Sequence, residues 1–175
     1  IKCRGGNGIA KMAFEYKGVH DCAAAKLVQQ GPKTCKFGCL GFGNCVRACP
    51  FNAMSMGPNG LPVVDRKMCT GCGKCANTCP NHVIELLPMS AKVSVSCSSK
   101  DFGAVAMKNC KALCIGCGSC MRNCSLKEEE GVKVVAVREA DVCHHCTNAT
   151  CLTKCPTGAI GEMLKGVFKK EENVG

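Results

Sequence analysis

Apolar positions along this 175-residue chain come in short runs, cut repeatedly by glycine and cysteine. The stretch "FNAMSMGPNGLPVVDRKM" sets short apolar segments on both sides of Asn59-Gly60. That dipeptide is a strong two-residue turn signal, so a β-hairpin is predicted. "KVSVSC" (92–97) alternates with period two and predicts a strand, with a helix starting at Ser98-Ser99-Lys100-Asp101. "VKVVAV" (132–137) is β-branched and predicts another strand. The charged run Lys127 to Glu130 before it reads as a solvated loop. The Ala-rich "IAKMAFEYKGVHDCAAAKLVQQG" (9–31) reads as helical. Four further helical runs are short: "VRA", "ANT", "MRN" and "LTK". The Lys/Glu-rich tail 163–175 is expected to fray.

Composition changes the picture through one residue type. Twenty of the 175 residues are cysteine, whereas aromatics make up 4% and Trp is absent. A large aromatic core is therefore excluded. Such cysteine density marks either a secreted disulfide scaffold or metal binding in a reducing compartment. Here the cysteines recur two to five residues apart in repeated blocks, a spacing that wraps a metal cluster and pairs poorly as disulfides. No signal peptide is visible and no apolar stretch reaches the roughly 18 residues of a membrane span, so a cytoplasmic protein is expected.

Four blocks form an internal repeat. They are "CKFGCLGFGNCVRACP" (35–50), "CTGCGKCANTCP" (69–80), "CIGCGSCMRNCS" (114–125) and "CHHCTNATCLTKCP" (143–156). A four-iron cubane needs four thiolates. A Cys-x2-Cys-x2-Cys loop supplies three, and in two-cluster ferredoxins the fourth is the Cys-Pro cysteine of the other block. Glycines between the ligands permit the tight wrap. The swap predicts four [4Fe-4S] clusters: Cys35, Cys39 and Cys45 with Cys79; Cys69, Cys72 and Cys75 with Cys49; Cys114, Cys117 and Cys120 with Cys155; Cys143, Cys146 and Cys151 with Cys124. Zinc is the rival ligand, but it explains neither four thiolates per block nor the Cys-Pro endings. His144 and His145 read as neighbours of a cluster, since their block already offers enough cysteines; His20 and His82 read as structural or exposed. Methionines such as Met54, Met56 and Met163 read as packing residues.

Four cysteines remain: Cys3, Cys22, Cys97 and Cys110. They read as buried thiols or a local disulfide. Their matching places in segments 1–34 and 81–113 keep a fifth metal site as the alternative. Both segments run strand, Cys, turn, helix, Cys, and are predicted to pack together as a small α/β support. The expected fold is thus α+β: two bacterial-type two-cluster ferredoxin-like units, 35–80 and 114–162, with that support.

Charge adds one exclusion. The formal net charge of +10 suggests nucleic acid, but it counts every cysteine as neutral. An oxidised four-iron cluster with its four thiolates carries about −2, so four of them bring the chain to roughly +2. No basic patch interleaved with aromatics is present, and a nucleic-acid partner is not expected.

"GVHDCAAAKLVQQGPKTCKFGCLGFGNCVRACPFNAM" followed by "GLPVVDRKMCTGCGKCANTCP" resembles the B subunit of the Rnf electron-transport complex. "VSVSCSSKDFGAVAMKNCKALCIGCGSC" also matches that family's layout, so the resemblance covers residues 1 to about 124. It implies an iron–sulfur subunit without a catalytic site of its own, passing electrons from reduced ferredoxin towards a membrane complex that reduces NAD and moves Na+ or H+. The chain begins at Ile1 rather than Met, which fits a piece of a longer protein with the family's membrane anchor upstream. The Cys-x2-Cys-x4-Cys-x3-Cys-Pro of block four is instead similar to iron–sulfur subunits of molybdopterin oxidoreductases. The alternative is therefore a subunit of a molybdopterin or hydrogenase-type enzyme. Expected partners are redox proteins: ferredoxin and flavin- or molybdopterin-bearing subunits.

Overall fold

The structure, a computed structural model, describes residues 1–88, 91, 93–124 and 150–162. Strand "VKVVAV", block-four residues Cys143, His144, His145 and Cys146, Met163 and the tail 163–175 lie outside the described residues.

The hairpin forms where Asn59-Gly60 predicts it. Strands β1 (Met54–Met56) and β2 (Pro62–Val64) pair antiparallel, with Met54 opposite Val64 and Met56 opposite Pro62. The turn closes through Gly57 N–H to the Leu61 carbonyl at 2.8 Å, and the Leu61 N–H donates to Asn59 Oδ1 at 3.1 Å. Gly60 takes φ +72°, which glycine adopts without a Cβ clash. Leu61 is buried against Cys39 and Val83, so the hairpin leans on the first cysteine block.

A second two-stranded sheet joins distant segments. β3 (Val93–Val95) pairs antiparallel with β4 (Ile160–Glu162), Val93 opposite Glu162 and Val95 opposite Ile160. All three β3 residues are buried. Val93 and Val95 belong to the most populated core cluster of the described residues, which also takes in Cys97, Ala106, Cys110, Leu113, Cys151 and Ile160. "KVSVSC" thus forms its strand, but its partner comes from beyond block four.

Two helix expectations need correction. Within 9–31 only α1 (Cys22–Leu27) is helical. Asp21 caps it, accepting the Ala24 N–H at 2.9 Å. The preceding residues spend their backbone groups on other segments, so no i→i−4 ladder can form. Ala10 bridges Cys110, Met12 bridges Lys33, and the Lys11 N–H donates to the Asn109 carbonyl at 3.0 Å. The second correction concerns α4, which spans Gly103–Asn109 and starts after Ser98–Asp101. There the serines serve a turn: Ser98 Oγ donates to the Phe37 carbonyl at 2.7 Å, and Ser99 Oγ accepts the Asp101 N–H at 3.2 Å.

The four short helices appear as expected: α2 (Asn44–Arg47), α3 (Lys74–Thr78), α5 (Ser119–Arg122) and α6 (Cys151–Lys154). Each carries the third cysteine of its block. α2 packs on α3 and α5 on α6, so the helices pair as the blocks do. α3 and α5 follow glycines at φ +78° and +69°, where the ligand loop turns into the helix. α6 is tied differently: Thr150 Oγ1 donates to the Asn123 carbonyl at 2.6 Å, linking block four to block three.

Candidate metal centre

Cysteines from both blocks of the N-terminal half converge on one cavity. It is lined by Cys39 and Cys45 of block one, Cys79 of block two, and Cys22. Local structure brings each there. Cys79 caps the C-terminus of α3, and Cys45 sits in α2. Cys22 opens α1, and a network ties that helix start to α2. The Cys22 N–H donates to Asn44 Oδ1 at 3.0 Å, and Asn44 Nδ2 donates to Asp21 Oδ2 at 2.5 Å. The same contacts hold the Asp21 carboxyl below its usual range, the Ala24 N–H contributing most, then the Asn44 amide.

These thiols resist ionisation while only protein surrounds them. Burial pushes Cys39 up to about 12, with Cys3 adding to it, and the Gly41 N–H and Lys33 opposing. Burial likewise pushes Cys45 up to about 11, with repulsion from Cys22 and Cys79 adding to it. Neighbouring thiolates therefore need a cationic centre to be stable together, and metal binding couples to loss of their protons. Lys33 stands at this site as a buried cation, 8% exposed. Its Nζ donates to the carbonyls of Cys39 and Gly5, each at 2.7 Å.

Cys35, expected in this set, is elsewhere. It lines a second cavity with Cys3, Cys97 and Cys110. In block one five residues separate Cys39 from Cys45, and Cys22 of α1 lines the cavity beside them. Sequence reasoning set Cys22 aside. The long gap between Cys39 and Cys45 was the signal that could have pointed to it.

In block two, Cys69 and Cys72 lie exposed while Cys75 is half-buried. Burial raises the Cys75 thiol, and the charges of Cys69 and Cys72 raise it further, so the three stand together. Cys49 follows α2, which packs on α3, the helix of Cys75. In block three, Cys114 and Cys120 pack against the core that includes Cys151, and so does Cys155. Ser119 Oγ donates to the Lys154 carbonyl at 3.2 Å, bringing the start of α5 beside Cys155. Cys155 is held below its usual range. Burial raises it, but the Thr157 hydroxyl (3.7 Å away) and the N–H groups of Ala159, Thr157 and Ile160 outweigh burial. Such donors favour a thiolate. Cys117 is exposed, Cys124 half-buried and Cys151 buried. Of the other residues singled out, His20 stacks near Phe42, ring centroids 5.4 Å apart. His82 takes a left-handed φ of +49° beside the Cys79-Pro80 end.

The donor sets fit a polynuclear cluster. A single zinc draws four sulfurs to about 2.3 Å from one point. Four thiols around an open cavity, with backbone N–H groups aimed at the sulfurs, instead match a cubane, whose iron–sulfide core holds its ligands apart.

The 4Fe-4S dicluster domain family matches residues 34–83, which contain blocks one and two. The chain is 49% identical over 99% of its length to the B subunit of the proton-translocating ferredoxin:NAD(+) oxidoreductase complex of Clostridium ljungdahlii. This chain is homologous to the B subunit of the Rnf-type complexes. It is also 38% identical, over 91% of its length, to the B subunit of the ion-translocating oxidoreductase complex of Methanosarcina acetivorans. The same identity and share relate it to the B subunit of the Na(+)-translocating ferredoxin:NAD(+) oxidoreductase complex of Acetobacterium woodii. The chain spans 61%, 60% and 47% of these relatives' lengths. Among the described residues no helix is long and apolar enough to cross a membrane.

Proposed function

We propose that this chain relays single electrons through four [4Fe-4S] clusters, from reduced ferredoxin towards the other redox subunits of a membrane-associated complex on its cytoplasmic face. Each cluster takes three thiolates from one block and one from its partner, except that Cys22 serves in the first where the sequence suggested Cys35. The remaining sets are Cys69, Cys72, Cys75 and Cys49; Cys114, Cys117, Cys120 and Cys155; and Cys143, Cys146, Cys151 and Cys124. The two cysteine-rich regions are two ferredoxin-like units, flanked by the support segments 1–34 and 81–113. The observation that carries this reading is the meeting of Cys79, from block two, with Cys39 and Cys45, from block one, around a single cavity. That exchange of the last cysteine is what a two-cluster ferredoxin requires.

The chain breaks and makes no bonds itself. Each cluster supplies a one-electron couple when bound; the protein sets where the electron rests. Backbone N–H donors at the sulfurs and the Lys33 ammonium stabilise the added negative charge, while burial opposes it. The ferredoxin source is supported by the relatives' names, two of which state a ferredoxin:NAD(+) couple.

Anaerobic iron and sulfide quantification with redox-titrated EPR tests this. At least about sixteen irons per chain are expected, with magnetically interacting four-iron signals. Zinc without iron overturns the cluster reading. Reduction by ferredoxin followed in a stopped-flow spectrometer tests the donor, and no electron uptake from it overturns that part alone.

A further inference from the structure

We propose that Cys3, Cys35, Cys97 and Cys110 hold a fifth [4Fe-4S] cluster at the seam between the two halves of the chain. This rests on the iron–sulfur reading above and goes beyond it in site, ligands and cluster number.

The four cysteines line one pocket, as Cys22, Cys39, Cys45 and Cys79 line the other. The surrounding backbone approaches them closely. A Cβ on Gly38 would lie 3.6 Å from Cys3 Sγ and 3.7 Å from Cys35 Sγ; one on Gly5 would lie 3.2 Å from Cys110 Sγ and 3.8 Å from Cys3 Sγ. N–H groups point at the sulfurs: Phe37 and Gly38 at Cys35, Cys114 and Ser99 at Cys97, Ala112 at Cys110. Arg4 and Lys33 line the same cavity, and their cationic side chains complement an anionic cluster, while Lys2 is already paired with Glu85.

An unexpected repeat explains why these four meet. "TCKFGCLG" (34–41) and "NCKALCIG" (109–116) share the pattern Cys-Lys-x2-Cys-x-Gly, so Cys35 corresponds to Cys110 and Cys39 to Cys114. The backbone makes Cys3 correspond to Cys97. The Lys2 N–H donates to the Val83 carbonyl, four residues after Cys79; the Ser96 N–H donates to the Ala159 carbonyl, four residues after Cys155. Cys3 and Cys97 each follow that donor directly. The cavity is thus built from two copies of one cysteine pair. The copies are stitched by the Ala10–Cys110 bridge and by the Lys111 N–H to the Ile9 carbonyl at 3.1 Å. With Cys35 here and Cys22 in the first block's cavity, all twenty cysteines fall into five sets of four. A disulfide would use only one pair of this duplicated set.

The test uses the full chain, produced anaerobically with its clusters in place. Native mass spectrometry with iron analysis is expected to find five clusters and about twenty irons. The double variant Cys97→Ala/Cys110→Ala is expected to lose one cluster and about four irons while keeping the EPR signals of the rest. Wild-type protein with four clusters overturns the fifth and leaves the four-cluster function standing; protein without iron overturns both. An unchanged iron content in the variant also overturns it. Should the variant not fold, anomalous scattering at the iron edge from wild-type crystals decides: a peak among the four sulfurs supports the proposal, and its absence there overturns it.

Discussion

The two halves of the molecule use the same cysteine grammar on different supports. In both, the segment after the last Cys-Pro hydrogen-bonds to a segment that leads into a cysteine. In the C-terminal half this is the β3–β4 ladder, with Val93 and Val95 each 2% exposed. In the N-terminal half it is Lys2 against Val83, helped by a 2.9 Å ion pair from Lys2 to Glu85. The N-terminal half adds its own hairpin, β1–β2, and its cores are smaller: Cys22, Ala25 and Leu40 in one, Cys39, Leu61 and Val83 in the other. The ligand supply differs too. In the proposed ligand plan block three carries its middle ligand, Cys117, within the loop, whereas block one takes Cys22 from a separate helix, α1, which lines the same cavity. The half with less apolar core leans more on what its cysteines bind, because burying a few small clusters does not offset the entropy of ordering the chain.

The largest effect follows from that dependence. Chelating iron anaerobically is expected to unfold the chain, since structural metal binding of about 10–16 kcal/mol is as large as the roughly 5–15 kcal/mol of net stability a domain has. Hydrogen exchange followed during chelation should show the N-terminal half losing protection before β3–β4. The reverse order would break the comparison. Next, Cys22→Ala and Cys117→Ala should each remove one cluster, about four irons. Full iron retention in Cys22→Ala would show that the two halves do not share a ligand plan.

Core truncation gives a smaller contrast. Leu113, 3% exposed in the C-terminal core, should cost about 4 kcal/mol as Leu113→Ala, and Leu61 in its three-residue cluster about 2 kcal/mol. Denaturant unfolding of the cluster-loaded proteins measures both, and equal losses would contradict the difference in core size. The smallest effect concerns Lys33. Its ammonium hydrogen-bonds at both four-cysteine cavities, so Lys33→Met should make the neighbouring clusters harder to reduce. A charge several Å away in an effective dielectric near 20 is worth about 2 kcal/mol, or roughly 90 mV for one electron. Potentiometric EPR reads the shift, with the C-terminal clusters as the unshifted control.

Much of this was legible locally. Asn59-Gly60 predicts the hairpin, the block spacing predicts the four short helices, and "KVSVSC" predicts β3, because turns, ligand loops and alternation are decided within a few residues. The misreadings all involve distant segments. Residues 9–20 look helical by composition, but their backbone groups find partners at 32–34 and 109–111. Ser98-Ser99 looks like a helix start, but Ser98 is recruited by Phe37.

Cysteine spacing alone pointed to iron–sulfur chemistry, since three thiolates on one short loop leave few other uses. Which cysteines share a cavity was decided only by tertiary structure. Cys22 and Cys35 sit thirteen residues apart, yet one joins Cys45 through the Asp21–Asn44 network and the other faces Cys97 and Cys110 across the seam. Hydrogen bonds and apolar burial between distant segments set those positions, and neither has a period that a linear pattern displays.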